Sequence, residues 1–343
     1  MMFSLPPYAG EVLEKLEAAG FEAWCVGGCV RDALLGRAPA DWDVCTSALP
    51  EQTKKALAEF SQAETGLRHG TVTAITSGGP VEITTFRREG AYSDRRRPDK
   101  VEFTSCLEED LLRRDFTINA MAWHPQRGLR DCFGGQADLQ RGLLRCVGEP
   151  ERRFQEDALR ILRCLRFGAV LGFAIEENTE KALLTLARLL EDISGERVQA
   201  EMDKLLAGAW AEKILHEYAE VFRVLFPEIP CGDVKLPSEG GAAGWAALLH
   251  SLPAAQAEGV LRRLRFPNRM RKEIMQIWAG NPLPISQLAV QGRDLLELGF
   301  QPGPFLGRAL HTLLGQVRAG EAPNEKGPLL DLARKLLARG GQV

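Results

Sequence analysis

Strand-type patterning in this chain stops near Gly148 and does not return. Before that point, short apolar or β-branched runs alternate with helical stretches. AWCV and the stretch Trp42 to Cys45 read as strands, and HGTVTAIT and VEITTFR flank Ser77-Gly78-Gly79-Pro80 as a hairpin. Val12 to Ala19, Val30 to Leu35 and Gln52 to Phe60 read as helices, with Gly20 and Gly36 ending the first two. From Pro150 onward the pattern is helical, broken at Gly172, Ser194-Gly195, Pro227 to Pro237, Pro267, Pro282 to Pro284 and Pro302 to Pro304. That order predicts a mixed α+β fold, with a head on a small sheet followed by several helical modules. At 343 residues there is room for two or three domains.

The stretch GGCVRDALLGRAPADWDV concentrates chemistry. Gly27 and Gly28 end one strand and open a helix, where small residues let backbone N–H groups approach an anion. Asp41 and Asp43 lie two apart on the next strand, so both carboxylates share a face while Trp42 and Val44 face the core. Two such carboxylates resist joint ionisation unless a cation lies between them, and an oxygen-only donor set suits magnesium. Glu82, in VEITTF, is placed to reach the same ions from a neighbouring strand.

Residues 151–170 combine an apolar stripe (Phe154, Ala158, Ile161, Leu162, Leu165) with charges at Arg153, Asp157 and Arg160, Glu156 beside them. Read alone, such a face is a solvated set of ion pairs. Arg113, Arg114 and Asp115 precede what reads as a helix start, where Asp115 could cap. Arg31 and Asp32 could form a supporting ion pair.

Taken in order, these stretches resemble one family. GG followed after a short helix by DxD is similar to the nucleotidyltransferase superfamily that includes DNA polymerase β. More narrowly, GGCVRDALLGRAPADWDV, VEITTFR, RRDFTINAMAW, DCFGGQADL, EDALRILRCLRF and ISGERVQAEMDKLL resemble the class II tRNA nucleotidyltransferases and bacterial poly(A) polymerases over roughly residues 20–210. The resemblance implies a polymerase β-like head with an antiparallel-rich sheet at 1–147, a base-selecting helical neck at 148–210, a helical body at 211–275 and a tRNA-binding helical tail at 276–343. It implies catalysis by Asp41, Asp43 and Glu82, with two magnesium ions on Asp41 and Asp43. Gly27, Gly28, Arg31, Arg113, Arg114, Asp115, Arg153, Asp157, Arg160 and Arg163 are the implied nucleotide-binding set, and CTP and ATP the substrates. Asp157 and Arg160 match the family's base-reading pair. Gly134 and Gly135 resemble its hinge between head and neck.

The implied activity is addition of C, C and A to the 3′ end of tRNA. A-only, CC-only and poly(A) addition are same-family alternatives, and a non-catalytic tRNA-binding module is the alternative from another class. In the family this chain resembles, members that add only CC are shortened in the loop that here holds Tyr92, Asp94, Arg95, Arg96 and Arg97, so by that resemblance its full length favours complete CCA addition. A net charge of −3 argues against an RNA partner only globally. Residues 262–272 hold Arg262, Arg263, Arg265, Arg269, Arg271 and Lys272 with no acid, a candidate path for the tRNA acceptor stem and 3′ end. Gly299 to Pro304 could present N–H groups to a phosphate. No HD pair signals a phosphohydrolase; His69 reads as hairpin support. The 8 cysteines form no CxxC pair and read as buried thiols in a reducing cytoplasm. No signal peptide, membrane span or obligate protein partner is expected.

Overall fold

The computed structural model describes residues 5–66, 70–89, 101–230, 234–237, 240–280, 288–301, 303–318 and 322–340. His69, Cys231, Pro302 and the loop residues Tyr92 and Asp94 to Arg97 lie outside them. The chain forms two compact units. One comprises Met1–Ile193, Gly208–Ile214 and Glu220–Leu225; the other comprises Ser194–Ala207, Leu215–Ala219 and Phe226–Val343.

The first unit is built on a sheet of seven strands: β1 (Ala23–Val26), β2 (Trp42–Thr46), β3 (Ser61–Gly66), β4 (Thr71–Thr76), β5 (Gly79–Thr85), β8 (Met121–His124) and β9 (Gly128–Asp131). β6 (Arg87–Glu89) and β7 (Val101–Phe103) pair separately. The order is β3-β4-β5-β2-β1-β8-β9, antiparallel except between β2 and β5. The strand carrying Asp43 is therefore central. Its neighbour β5 runs parallel to it and sets Asp43 directly against Glu82.

Helices α1 (Pro7–Ala18), α2 (Gly28–Leu34), α3 (Pro50–Ala56) and α4 (Leu107–Leu112) surround this sheet. One sheet face packs Trp24, Val26, Cys45 and Ala122 against Leu107 and Leu111 of α4. On the other, Trp42, Val44, Val81 and Ile83 are buried, as the alternation of β2 and β5 requires. Cys25, Cys29, Cys45, Cys146 and Cys164 are buried free thiols, whereas Cys106 is exposed and Cys132 intermediate.

Sequence and structure differ at four places. The helix read at Gln52 to Phe60 ends at Ala56. The helix read after Asp115 is one 3₁₀ turn, Thr117–Asn119, followed by β8. There Thr117 Oγ1 donates to Asp138 Oδ2 at 2.7 Å and Met121–His124 zips onto the sheet, so edge pairing wins over helical spacing. Strand structure also returns after Gly148: β11 (Ala174–Ile175) pairs in parallel with β10 (Leu143–Leu144). Finally, residues 151–170 are not one helix. After α5 (Gly135–Arg141), α6 (Pro150–Glu156) stops at Asp157, whose backbone is extended (φ −146°, ψ 103°), and α7 (Leu159–Leu171) starts afresh. The Asp157 carboxylate accepts the Leu159 N–H at 3.1 Å, a local turn that competes with the helical ladder. α8 (Glu177–Leu186) then packs on α6.

The second unit is helical, from α9 (Gly195–Leu206) through α12 (Gly241–Leu248), α13 (Ala254–Arg263) and α14 (Asn268–Trp278) to α15 (Gly292–Glu297), α16 (Pro304–Arg318) and α17 (Lys326–Gly340). The short helices α10 (Ala211–Glu217) and α11 (Ala219–Leu225) are each divided between the units, which the chain also switches on either side of α9 and after α11. Trp245 is buried edge-on to Phe226 and Phe266, with its indole N–H on Asp203. Leu288, Val290, Leu295, Phe300, Leu313 and Leu329 form a separate apolar core. Among the described residues no helix is long and apolar enough to cross a membrane.

Candidate active site

Strand pairing assembles the acidic edge. Paired residues of adjacent strands share a face, so Glu82 lies on the Asp43 side of the sheet, with Asp41 two residues before. Asp41 and Glu82 are exposed and Asp43 is half-buried. Burial, then the charges of Asp41 and Glu82, push the Asp43 carboxyl up to about 6, against the opposing pull of Arg114. The three acids thus repel one another. Among the described residues no group of three or more His, Cys, Asp or Glu is gathered closely enough to hold an ion unaided. An open set of one or two carboxylates, completed by phosphate oxygens and water, is the usual magnesium arrangement, so these residues fit that ion.

Gly27 has φ +81°, a conformation that favours glycine. A Cβ there would lie 3.2 Å from Arg114 Nη1. Its amide donates to the Met121 carbonyl at 3.3 Å, so of the glycine pair it is Gly28 whose amide opens α2. Arg113 Nε and Arg114 Nη2 donate to opposite oxygens of Asp110, at 2.8 and 3.0 Å. Asp110 is fully buried. Burial alone would raise its carboxyl, but the two guanidinium groups outweigh it and hold it below the ordinary range. Arg114 Nε is buried with no hydrogen-bond partner among the described residues, a donor suited to an anion. Sequence reasoning missed Asp110; its spacing of three and four residues before Arg113 and Arg114 on a helix is the signal that could have found it.

Asp115 does not cap a helix. Its Oδ2 accepts from Arg163 Nε at 2.8 Å, and its Oδ1 accepts the Phe116 N–H at 2.9 Å and Asn119 Nδ2 at 3.3 Å. Burial opposes ionisation, but Arg163 overrides it and holds the carboxyl at about 2. Asn119 in turn accepts Arg31 Nη1 at 2.8 Å, and Arg31 grips Asp32 through two donors at 2.8 and 3.0 Å. A chain Arg31–Asn119–Asp115–Arg163 therefore ties α2 to α7. Asn119 carried no signal in the sequence.

The break at Asp157 places Arg153, Asp157 and Arg160 differently from a continuous helix face. Glu156 Oε2 accepts both Arg153 Nη1 and Arg160 Nη1 at 2.9 Å. Arg160 also donates to the Arg153 carbonyl at 3.3 Å and the Arg113 carbonyl at 3.1 Å. At 7% exposure the Arg160 guanidinium is clamped, not solvated. Arg153 is likewise buried, its Nε on the Val147 carbonyl at 3.1 Å. Asp157 is anchored by the Leu159 amide next to Arg160.

The basic cluster at 262–272 is partly neutralised. Arg262 and Arg271 share Glu258, Arg263 meets Glu228 and Arg265 meets Glu196. Among the described residues Arg269 and Lys272 make no ion pair. Gly299 ends α15 at φ +101°, and Gly303 precedes α16.

Comparison with known proteins agrees with this geometry. The Poly A polymerase head domain family matches residues 23–145, the RNA and SrmB-binding site of polymerase A matches 172–231, and tRNA nucleotidyltransferase domain 2 matches 281–333. A CCA-adding enzyme of Lactobacillus delbrueckii subsp. bulgaricus is 36% identical over 93% of this chain and 95% of its own. That of Lacticaseibacillus paracasei is 37% identical over 95% of each. The crystal structure of Bacillus stearothermophilus CCA-adding enzyme in complex with CTP superposes with a TM-score of 0.59 at 31% identity, covering 98% of both chains. Thermotoga maritima CCA-adding enzyme complexed with tRNA shares the fold, with a TM-score of 0.62 at 21% identity. With an acidic strand edge, a clamped Asp–Arg pair and relatives this similar over nearly the whole length, the chain belongs to the class II tRNA nucleotidyltransferase and bacterial poly(A) polymerase family.

Proposed function

We propose that this protein adds C, C and A to the 3′ end of tRNA from CTP and ATP, without a nucleic-acid template. The observation that carries this reading is Arg160, clamped by Glu156 beside an anchored Asp157, in the same compact unit as the Asp41–Asp43–Glu82 edge. A carboxylate only accepts and a guanidinium only donates. Cytosine and adenine each present an exocyclic amine beside a ring-nitrogen acceptor, so Asp157 takes the amine and Arg160 fills the acceptor. Uracil and guanine present a carbonyl beside an N–H, and both contacts fail. A polar site of this kind discriminates by up to about 10⁴-fold.

Gly27, Gly28, Arg113, Arg114 and Arg163 receive the triphosphate, and Asp115 holds Arg163 for that task. Two magnesium ions, held by Asp41 and Asp43 with Glu82 beside them, would supply activation of the terminal 3′-hydroxyl and neutralisation of pyrophosphate charge. The 3′-oxygen forms a bond to the α-phosphorus, the bond to the bridging oxygen breaks, and pyrophosphate leaves. The head at 1–147 carries this step, the neck at 148–210 selects the base, and the body at 211–275 and tail at 276–343 engage the tRNA, with Arg262, Arg263, Arg265, Arg269, Arg271 and Lys272 along its phosphates. Such an enzyme works in the cytoplasm.

Labelled extension of tRNAs ending before CCA, after C and after CC tests the reading. CTP should extend the first two and ATP only the third, and Asp41→Ala should abolish every product. Long A tails would indicate poly(A) addition instead, and extension by the Asp41→Ala protein would refute the metal assignment.

A further inference from the structure

The ring of Phe167 carries three guanidinium groups. Arg166 Cζ lies 3.8 Å from the ring centroid, Arg31 Cζ 5.3 Å and Arg163 Cζ 5.6 Å. The ring is 4% exposed and meets Phe116 edge-on at 5.7 Å. Arg31 comes from α2, just behind Gly27-Gly28, whereas Arg163, Arg166 and Phe167 come from α7, the helix that also carries Arg160. One buried aromatic side chain thus joins the glycine turn to the base-reading helix.

Three cations around one ring repel one another. Carboxylates offset this charge: Asp32 takes Arg31, and Asp115 takes Arg163. The contacts close a loop. Arg31 reaches Arg163 through Asn119 and Asp115 on one side and through the Phe167 ring on the other. The two routes differ in what they consume. A carboxylate fixes a guanidinium by occupying its N–H donors, and those donors are what a phosphate needs. An aromatic ring attracts the cation through the negative charge of its face and consumes no donor.

We propose that Phe167 is a positioning residue for the nucleotide triphosphate: its ring holds Arg31 and Arg163 as a pair across α2 and α7. The proposal rests on the nucleotidyl-transfer reading and assigns triphosphate recognition within that site to a residue that touches no substrate itself. It makes phosphate binding, not base choice, the property that depends on the ring. CTP and ATP should depend on it equally, because they share the triphosphate.

Replacement of Phe167 by 3,4,5-trifluorophenylalanine keeps the shape and burial of the side chain and drains charge from the ring face, so the fold is retained. All three cation–π contacts weaken, and the loosened hold on Arg31 and Arg163 should raise KM for both CTP and ATP by about tenfold, with kcat changed by less than about twofold. The preference for CTP over UTP should not move. Calorimetry with magnesium pyrophosphate as the probe should show the same weakening, and Phe167→Tyr should bind it as the wild type does. In an Arg31→Gln background the fluorinated ring should cost less than in the wild type, since one of its two clients is gone. Unchanged pyrophosphate affinity in the fluorinated protein, or a shift confined to kcat or to base preference, would overturn the proposal. Pyrophosphate binding needs no transfer reaction, so a protein that failed to extend tRNA would refute the functional reading and leave this result standing.

Discussion

Replacing Asp115 with asparagine isolates one buried charge pair, and its size can be worked out in advance. The Asp115 carboxyl sits at about 2 instead of its ordinary 3.8, and the residue is 8% exposed. At about 1.36 kcal/mol per pH unit, that depression contributes about 2–3 kcal/mol to stability at neutral pH. The folded value is the lower one, so this contribution is present above pH 3.8 and is lost as pH falls toward 2. Removing one partner of a fully buried pair can cost about 3–5 kcal/mol, but the Arg163 side chain is 33% exposed and water can take over some of its donors. The expected loss is therefore about 2–3 kcal/mol. For a folding unit of this size each kcal/mol lowers the melting temperature by about 2–4 °C. Differential scanning calorimetry at pH 7.5 should show the transition of the catalytic unit lowered by about 5–10 °C in Asp115→Asn. Between pH 5 and 2 the wild type should lose stability faster than the variant, so their curves converge in acid. KM for CTP and ATP should rise together as Arg163 loses its anchor. If the two proteins melt alike at pH 7.5 and keep the same separation down to pH 2, the pair does not contribute as argued.

Five other substitutions test three separate parts of the molecule. Gly27→Ala forces a Cβ into a backbone at φ +81° and within 3.2 Å of Arg114 Nη1; thermal melting should drop by about 1–2 kcal/mol, and nucleotide KM should rise. Glu156→Gln removes the charge shared by Arg153 and Arg160, so single-nucleotide incorporation assays should show UTP misincorporation rising by about tenfold while CTP use falls less. Arg269→Ala and Lys272→Ala should weaken tRNA binding and flatten its salt dependence by about one charge each, whereas Arg271→Ala, already paired with Glu258, should do less in filter-binding titrations.

The core strands were legible because period-two patterning is a local property: AWCV, WDVC and the hairpin around Gly79 fall where they were expected. β8 was not, because MAWH follows a 3₁₀ turn and becomes a strand only by pairing with β1 and β9, which are distant in sequence or not yet formed. The shared face of Asp41 and Asp43 was legible from their spacing, and its chemistry only together with the upstream glycine pair and Glu82, whose adjacency to Asp43 depends on the parallel register of β2 and β5, which no local pattern encodes. The break at Asp157 was hidden by an uninterrupted apolar stripe. What ends α6 is a side chain that caps its own downstream backbone, and an aspartate on a helix face looks the same whether it does that or not. Basic residues at 262–272 read as a patch because two of the acids that pair with them, Glu196 and Glu228, come from elsewhere in the chain, while Glu258 lies one turn before Arg262 on α13, just outside the stretch.

Charge separation, not net charge, is what the site is built on. Six arginines of the candidate nucleotide pocket are held by four carboxylates: Arg31 by Asp32, Arg113 and Arg114 by Asp110, Arg153 and Arg160 by Glu156, and Arg163 by Asp115. Each carboxylate fixes a guanidinium in place, and together they leave the arginine side with an excess of positive charge. The Asp43 carboxylate, by contrast, is repelled by Asp41 and Glu82 and pulled the other way by Arg114. A polyphosphate carrying divalent cations has anionic oxygens to offer arginines and metal to offer carboxylates, so under the proposed function it would neutralise both sets at once. A total of −3 over the whole chain averages this arrangement away, because the acids that hold the arginines and the acids that would hold metal are counted alike. Among the described residues, what separates the two sets is which carboxylates form an ion pair with an arginine and which do not.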